Sequence, residues 1–118
     1  MRFVHLVHLD VANFDRMSVA ERQDVDRRAL ANNAELEQRG ALIHAEAIQD
    51  DYSAVLVRVR NGQVSVTDGP YIETKEQMAG FALIEAPDIG AAMAIAGEDP
   101  IAEYGTIEVR PVYVIPAS

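Results

Sequence analysis

The order of apolar patterns along the chain predicts an α+β fold, a ferredoxin-like split β-α-β with an inserted β-hairpin. Three observations lead there. Strand-like and helix-like stretches follow one another as β-α-β, hairpin, β-α-β. Asn61-Gly62 divides two alternating runs, and both residues tolerate positive φ, as a two-residue hairpin turn demands. Finally, two helical stretches cover one face of a sheet, yet the first strand offers apolar side chains to both faces. The uncovered face is therefore expected to meet a second copy in a two-fold dimer.

Phe3 to Leu9 reads as a central strand, with Phe3, His5, Val7 and Leu9 on one face and Val4, Leu6 and His8 on the other. Ser18 opens a capping box closed by Glu21, and the helix it starts runs to Arg39 with Gly40 as its stop. Val25, Ala29 and Leu36 form the buried stripe of that helix. Ala41–Ile48 and Tyr52–Arg60 are the next strands, and Gln63–Thr67 is the return of the hairpin. A loop rich in turn residues leads to a strand at Gly80–Glu85. Asp88 caps the second helix, whose expected stripe is Ile89, Ala92, Met93 and Ala96. Gly97 and Pro100 stop it, and Gly105–Ile115 is the last strand. Counted without the hairpin, the four sheet strands are expected in the order 4-1-3-2, which puts the second strand at an edge.

The 118 residues suit one domain, residues 1–118. With 19 acidic against 10 basic residues the net charge is −9, unsuited to nucleic acid or to anionic membranes. The absence of cysteine excludes disulfides, zinc-thiolate sites and cysteine nucleophiles. No run approaches the roughly 18 apolar residues of a membrane span. The start, interrupted by His5, His8 and Asp10, lacks a signal core, so a cytoplasmic protein is expected.

The segment VRNGQVSVTDGPYIETKEQMAGFALIEAPD, with the later GTIEVRPV, resembles the DGPF branch of the YCII-related proteins, with Tyr71 where the motif usually has Phe. The resemblance implies a dimeric, ferredoxin-like α+β barrel. It also suggests a link to transcription control, because some members carry the domain beside a sigma factor. The YCII side of the family has a His–Asp pair. Asp99 of the EDP stretch matches the aspartate, but Ala29 sits near the place of the histidine, so the dyad is incomplete.

The candidate site is the loop Thr67–Phe81. Asp68, Tyr71, Glu73 and Lys75 are expected to line the mouth of a cleft between the sheet and the partner, with Tyr71 as wall and Lys75 as anion clamp. The same loop is also sufficient as a plain bend, with Thr74 bonded to nearby backbone and Lys75 paired to Glu73 or Glu76. His8 is a candidate base because imidazoles as a class titrate near neutral pH, with Asp68 as the other candidate. Arg110 shares a face with Glu108; together with Arg58 they suggest either a charge network that fixes register or a carboxylate-binding Arg. His5 and His8, three apart on a strand, face opposite ways, and His44 lies on a distant edge, so no metal site is expected. No phosphate loop, nucleophile elbow or dinucleotide turn is present, and no cofactor is expected. Two functions follow from these residues. One is a homodimeric small-ligand binding or regulatory module. The other is a cofactor-independent lyase or isomerase acting on a small anionic organic acid, with Asp68 or a histidine as base and Lys75 or Arg110 as clamp.

Overall fold

The computed structural model describes residues 1–117. It is a mixed α+β fold. Strands β1 (Arg2–Leu9), β2 (Leu42–Ala47), β5 (Gln77–Glu85) and β6 (Gly105–Pro111) form an antiparallel sheet in the order β2-β5-β1-β6. Strands β3 (Val55–Arg60) and β4 (Gln63–Asp68) pair only with each other, as a separate two-stranded sheet. The helices are α1 (Val11–Asp15), α2 (Val19–Gln38) and α3 (Ile89–Glu98).

Central placement explains why β1 is apolar on both faces: it is flanked by β5 and β6. Phe3 and His5 point to the helix side and are buried; Val4, Leu6 and His8 point to the open side and are half-buried. The core lies on the helix side, where Phe3 and Ile84 of the sheet meet Leu36 of α2 and Ala92 and Ile95 of α3. Burial of these apolar side chains is the main stabilising term.

Ser18 caps the helix as expected: Glu21 N–H donates to Ser18 Oγ at 3.1 Å, while the Glu21 carboxylate accepts from the Ser18 hydroxyl at 3.1 Å. Gly40 stops α2 at φ 72°, a conformation that L side chains resist. Asn61 and Gly62 both take positive φ at the hairpin turn. Two ion pairs hold α2 in place. Arg28 donates to both oxygens of Glu103, at 2.9 and 3.2 Å, and Arg39 donates to Glu98 at 3.1 Å. The first pair lowers the Glu103 pKa and raises that of Arg28, chiefly through their hydrogen bond.

Several elements differ from expectation. The buried face of α3 is Ala92, Ile95 and Ala96, while Ile89 and Met93 are exposed. That helix is apolar on almost every side, so its pattern could not choose a face. Residues Asp51–Ser53 form a 3-10 turn, so β3 starts at Val55 instead of Tyr52. Strand β6 ends at Pro111 instead of Ile115: Val112 N–H still bonds to the Arg2 carbonyl, but β1 begins at Arg2, so the ladder runs out there. Strand β5 begins three residues early, at Gln77, and takes the end of the turn-rich loop into the sheet. Arg58 stands on the separate hairpin, away from Glu108 and Arg110, and so does not join a network with them.

Candidate functional site

Two cavities lie on either side of Val11, the first residue of α1. This helix starts at Asp10, whose side chain accepts from Asn13 N–H at 3.3 Å. Asp10 is itself buried.

The larger cavity, of about 640 Å3, lies between α2 and the β1-β5-β2 part of the sheet. It exists because the facing walls are built from small residues. Ala29 comes from α2, Ala45 and Ala47 from β2, and Ala79 and Gly80 from β5. A β-bulge puts the last two there. Val7 pairs with Gly80 and His8 with Met78, so Ala79 is the extra residue of β5. Val7, Leu9, Phe14 and Ile101 add apolar surface. Its size falls in the ordinary range for small-molecule sites, roughly 300–1,000 Å3.

The polar groups of this cavity are mostly acidic. Asp15, Asp26, Asp50 and Asp99 line it, against one cation, Arg22, whose guanidinium sits 5.4 Å from the centre of the Phe14 ring. The Asp99 carboxylate accepts from Ile101 N–H at 2.9 Å, which fixes it at the start of the 3-10 turn Pro100–Glu103. The negative potential at the mouth is felt by Tyr52. Its hydroxyl donates to Asp50 at 2.7 Å, and its pKa is raised by that bond first and then by the charges of Asp50, Asp15 and Asp51.

Close by, His5 is 4% exposed, and its Nε2 lies 3.1 Å from the carbonyl oxygen of Ala92. A carbonyl only accepts, so Nε2 carries the proton. Burial lowers the His5 pKa, against smaller raising effects from the Ala92 bond and the charge of Asp99. Burial thus favours the neutral ring.

The smaller cavity, of about 420 Å3, is lined by Asp10, Asn13, Arg16, Asp51, Lys75 and Gln77, with Val11 and Ala12. Lys75 Nζ lies 3.8 Å from Asp10 Oδ2, so its ion pair is with Asp10 and not with Glu73 or Glu76. Arg16 donates to Asn13 Oδ1 at 2.8 Å. This is the one place where two cations converge on a concave surface among the described residues that line these cavities.

The residues singled out from sequence are dispersed. Lys75 reaches the smaller cavity. Asp68, at the end of β4, is exposed, as are Tyr71 and Glu73; none of the three lines either cavity. His8 lies on the open sheet face, with its Nε2 3.0 Å from Glu108 Oε1, and Arg110 Nε is 3.9 Å from the other oxygen of Glu108. His8 and Asp68 thus stand on different sheets. Thr74 bonds to the backbone oxygen of Glu76, and Glu76 accepts from Thr106 at 2.8 Å, which ties the loop to β6. Sequence reasoning passed over Asp10, Asn13 and Arg16. Their signal was an Asp followed three residues later by Asn, a cap too short to suggest a helix. Among the described residues no group of three or more His, Asp or Glu side chains is placed to hold a metal ion. No helix among them is long and apolar enough to cross a membrane.

Fold and cavities together define a small α+β domain with a concave, partly apolar site under its helices. The chain belongs to the YCII-related domain family, whose model matches residues 1–116. It is 30% identical over 114 residues to the uncharacterised protein R00369 of Rhizobium meliloti (strain 1021), covering 95% of this chain and 92% of that one. Among solved structures it is similar to the 5-chloro-2-hydroxyhydroquinone dehydrochlorinase TftG from Burkholderia phenoliruptrix AC1100, in complex with 2,5-dihydroxybenzoquinone. The TM-score is 0.55 at 14% identity, over 96% of this chain and 94% of the other. That likeness concerns the fold.

Proposed function

We propose that this chain is a cytoplasmic, homodimeric small-ligand binding or regulatory module of the DGPF type. Its ligand occupies the larger cavity under α2. The observation that carries this reading is the pairing of Ala29 with Asp99 in one cavity. These are the positions where the family resemblance puts a His–Asp dyad. With a methyl group in place of an imidazole, the site keeps room and a fixed carboxylate but loses the second proton-transfer group. Binding without turnover suits that chemistry. The acidic lining disfavours an anion and suits a mostly apolar, uncharged or cationic molecule.

The homodimer is supported by surface area. The chain exposes 8294 Å2, against about 6,300 Å2 for a compact monomer of this mass. Its radius of gyration is 16.4 Å, where about 13.5 Å is usual. The excess area is more than each partner buries in an ordinary interface, about 800 Å2. The open sheet face, with Val4, Leu6, Phe81 and Leu83, is the natural place for the partner. A link to sigma-factor regulation rests on the family resemblance.

A second reading is a cofactor-independent lyase or isomerase acting on a small anionic organic acid. It is favoured by the smaller cavity, where Arg16 and Lys75 offer an anion clamp beside the buried Asp10 carboxylate. TftG, a dehydrochlorinase with a similar fold, speaks for the same reading.

A thermal-shift screen with small neutral, cationic and acidic organic compounds decides between them, because a bound ligand raises the melting temperature with its occupancy. It is run on wild type, Ala29→Trp and Lys75→Ala. Module hits stabilise wild type and Lys75→Ala but not Ala29→Trp, whose indole fills the larger cavity. Acids that lose their effect only in Lys75→Ala favour the enzyme. Hits that stabilise all three proteins equally exclude both cavities.

A further inference from the structure

The β3–β4 hairpin leaves one face unpartnered. Val57 pairs with Val66 and Val59 with Val64, and Val55 lies on the same side two residues before Val57. All five valines are 57–67% exposed. Nothing among the described residues covers them. The hairpin hydrogen-bonds to no strand of the larger sheet, and Tyr113, Val114 and Ile115 near the end of the chain are themselves about 80% exposed. Two-stranded hairpins are marginal in water without a packed face, and a contiguous apolar patch of this kind marks a contact surface.

The hairpin also differs in charge from the rest of the molecule. Val55–Asp68 carries Arg58 and Arg60 against the single acid Asp68, within a chain of net charge −9. By alternation Arg58 and Arg60 lie on the side of the hairpin opposite the valines, so their charge draws the arm toward an acidic second copy while the valine face itself makes the apolar contact. The exposed area in excess of a compact monomer is large enough to include this face as well as the sheet.

We infer that the β3–β4 hairpin is a clasping arm whose valine face packs against the second copy of the chain, with two arms per dimer by symmetry. This rests on the homodimer proposed above and adds a contact that the facing sheets do not require.

The test is sedimentation velocity of the full chain over a range of concentrations, with hydrogen exchange across β3 and β4. It uses wild type, Val57→Lys/Val66→Lys and the milder Val57→Thr/Val66→Thr, which keeps β-branched residues in both strands. Circular dichroism checks that each variant is folded. Wild type is expected to dimerise, with hairpin amides protected only at dimeric concentrations. The lysine pair should weaken the dimer at least 100-fold and the threonine pair about tenfold, both with loss of that protection. A dimer equally tight in wild type and both variants overturns the arm and leaves the homodimer standing. Hairpin protection that does not change with concentration also overturns it. A wild type that stays monomeric overturns both.

Discussion

Acidification should destabilise this fold through His5, by an amount with a definite ceiling. The imidazole is buried against α3, and burial holds its pKa below the ordinary 6.5. In the unfolded chain the ring is solvated and returns to about 6.5. Below that pH the unfolded chain takes up a proton that the folded chain resists, so folding stability falls as pH falls. The window opens at about pH 6.5 and closes at the lower, folded pKa. A ring that stayed neutral throughout would cost about 1.4 kcal/mol at pH 5.5, since one pH unit is worth 1.36 kcal/mol. The Ala92 carbonyl and the Asp99 charge both favour the cation, so the loss should fall short of that ceiling. His5→Gln keeps an amide donor for Ala92 and removes the titration. Urea unfolding from pH 7.5 to 5.5, at one protein concentration, should show wild type losing more stability than the variant by up to about 1.4 kcal/mol. A proton NMR titration should put the His5 midpoint below 6.5. A midpoint at or above 6.5, or parallel pH profiles for the two proteins, would refute the reasoning.

Two further outcomes follow from packing. Phe3→Ala empties the largest fully buried position of the core, so urea unfolding should report a loss of about 3–5 kcal/mol, a large share of any small domain's stability. Gly105→Ala would put a methyl group 2.1 Å from the His8 carbonyl oxygen, against backbone that cannot yield, so β6 should loosen from β1 at its start. Its melting temperature should drop and the amides of Gly105–Ile107 should exchange faster; unchanged values would mean that the strands can move apart at little cost.

Much of the architecture was legible because its signals are local. Ser18 with Glu21, Gly40, Asn61-Gly62 and Asp88 each act within a few residues, and each does what its chemistry implies. The two-sided apolar pattern of Phe3–Leu9 was enough to put that strand in the middle of the sheet. The buried side of α3 was not legible, because alanine and isoleucine surround that helix and only contact with Phe3 and Ile84 selects a side. The site was harder still. Lys75 was chosen for its charge, but its partner is Asp10, which the fold brings to it from the far end of the chain. The larger cavity is made by what is missing, the side-chain volume of Ala29, Ala45, Ala47, Ala79 and Gly80, and alanines read singly suggest no ligand. Asp68, Tyr71 and Glu73 carry chemistry in their letters, yet they stand in solvent on a projecting loop and hairpin end.

The extra residue in β5 has a bearing on evolution of the pocket. Because Ala79 is inserted, Met78 follows His8 onto the far side of the sheet, and two small residues in succession look inward. A one-codon deletion of Ala79 would restore strict alternation, with Met78 still opposite His8 on the far side and Gly80 still opposite Val7, and would take one of the two small residues out of the wall of the hollow. The shape of that inner wall is thus governed by the count of residues in a strand, and a lineage could alter it without touching a single polar group.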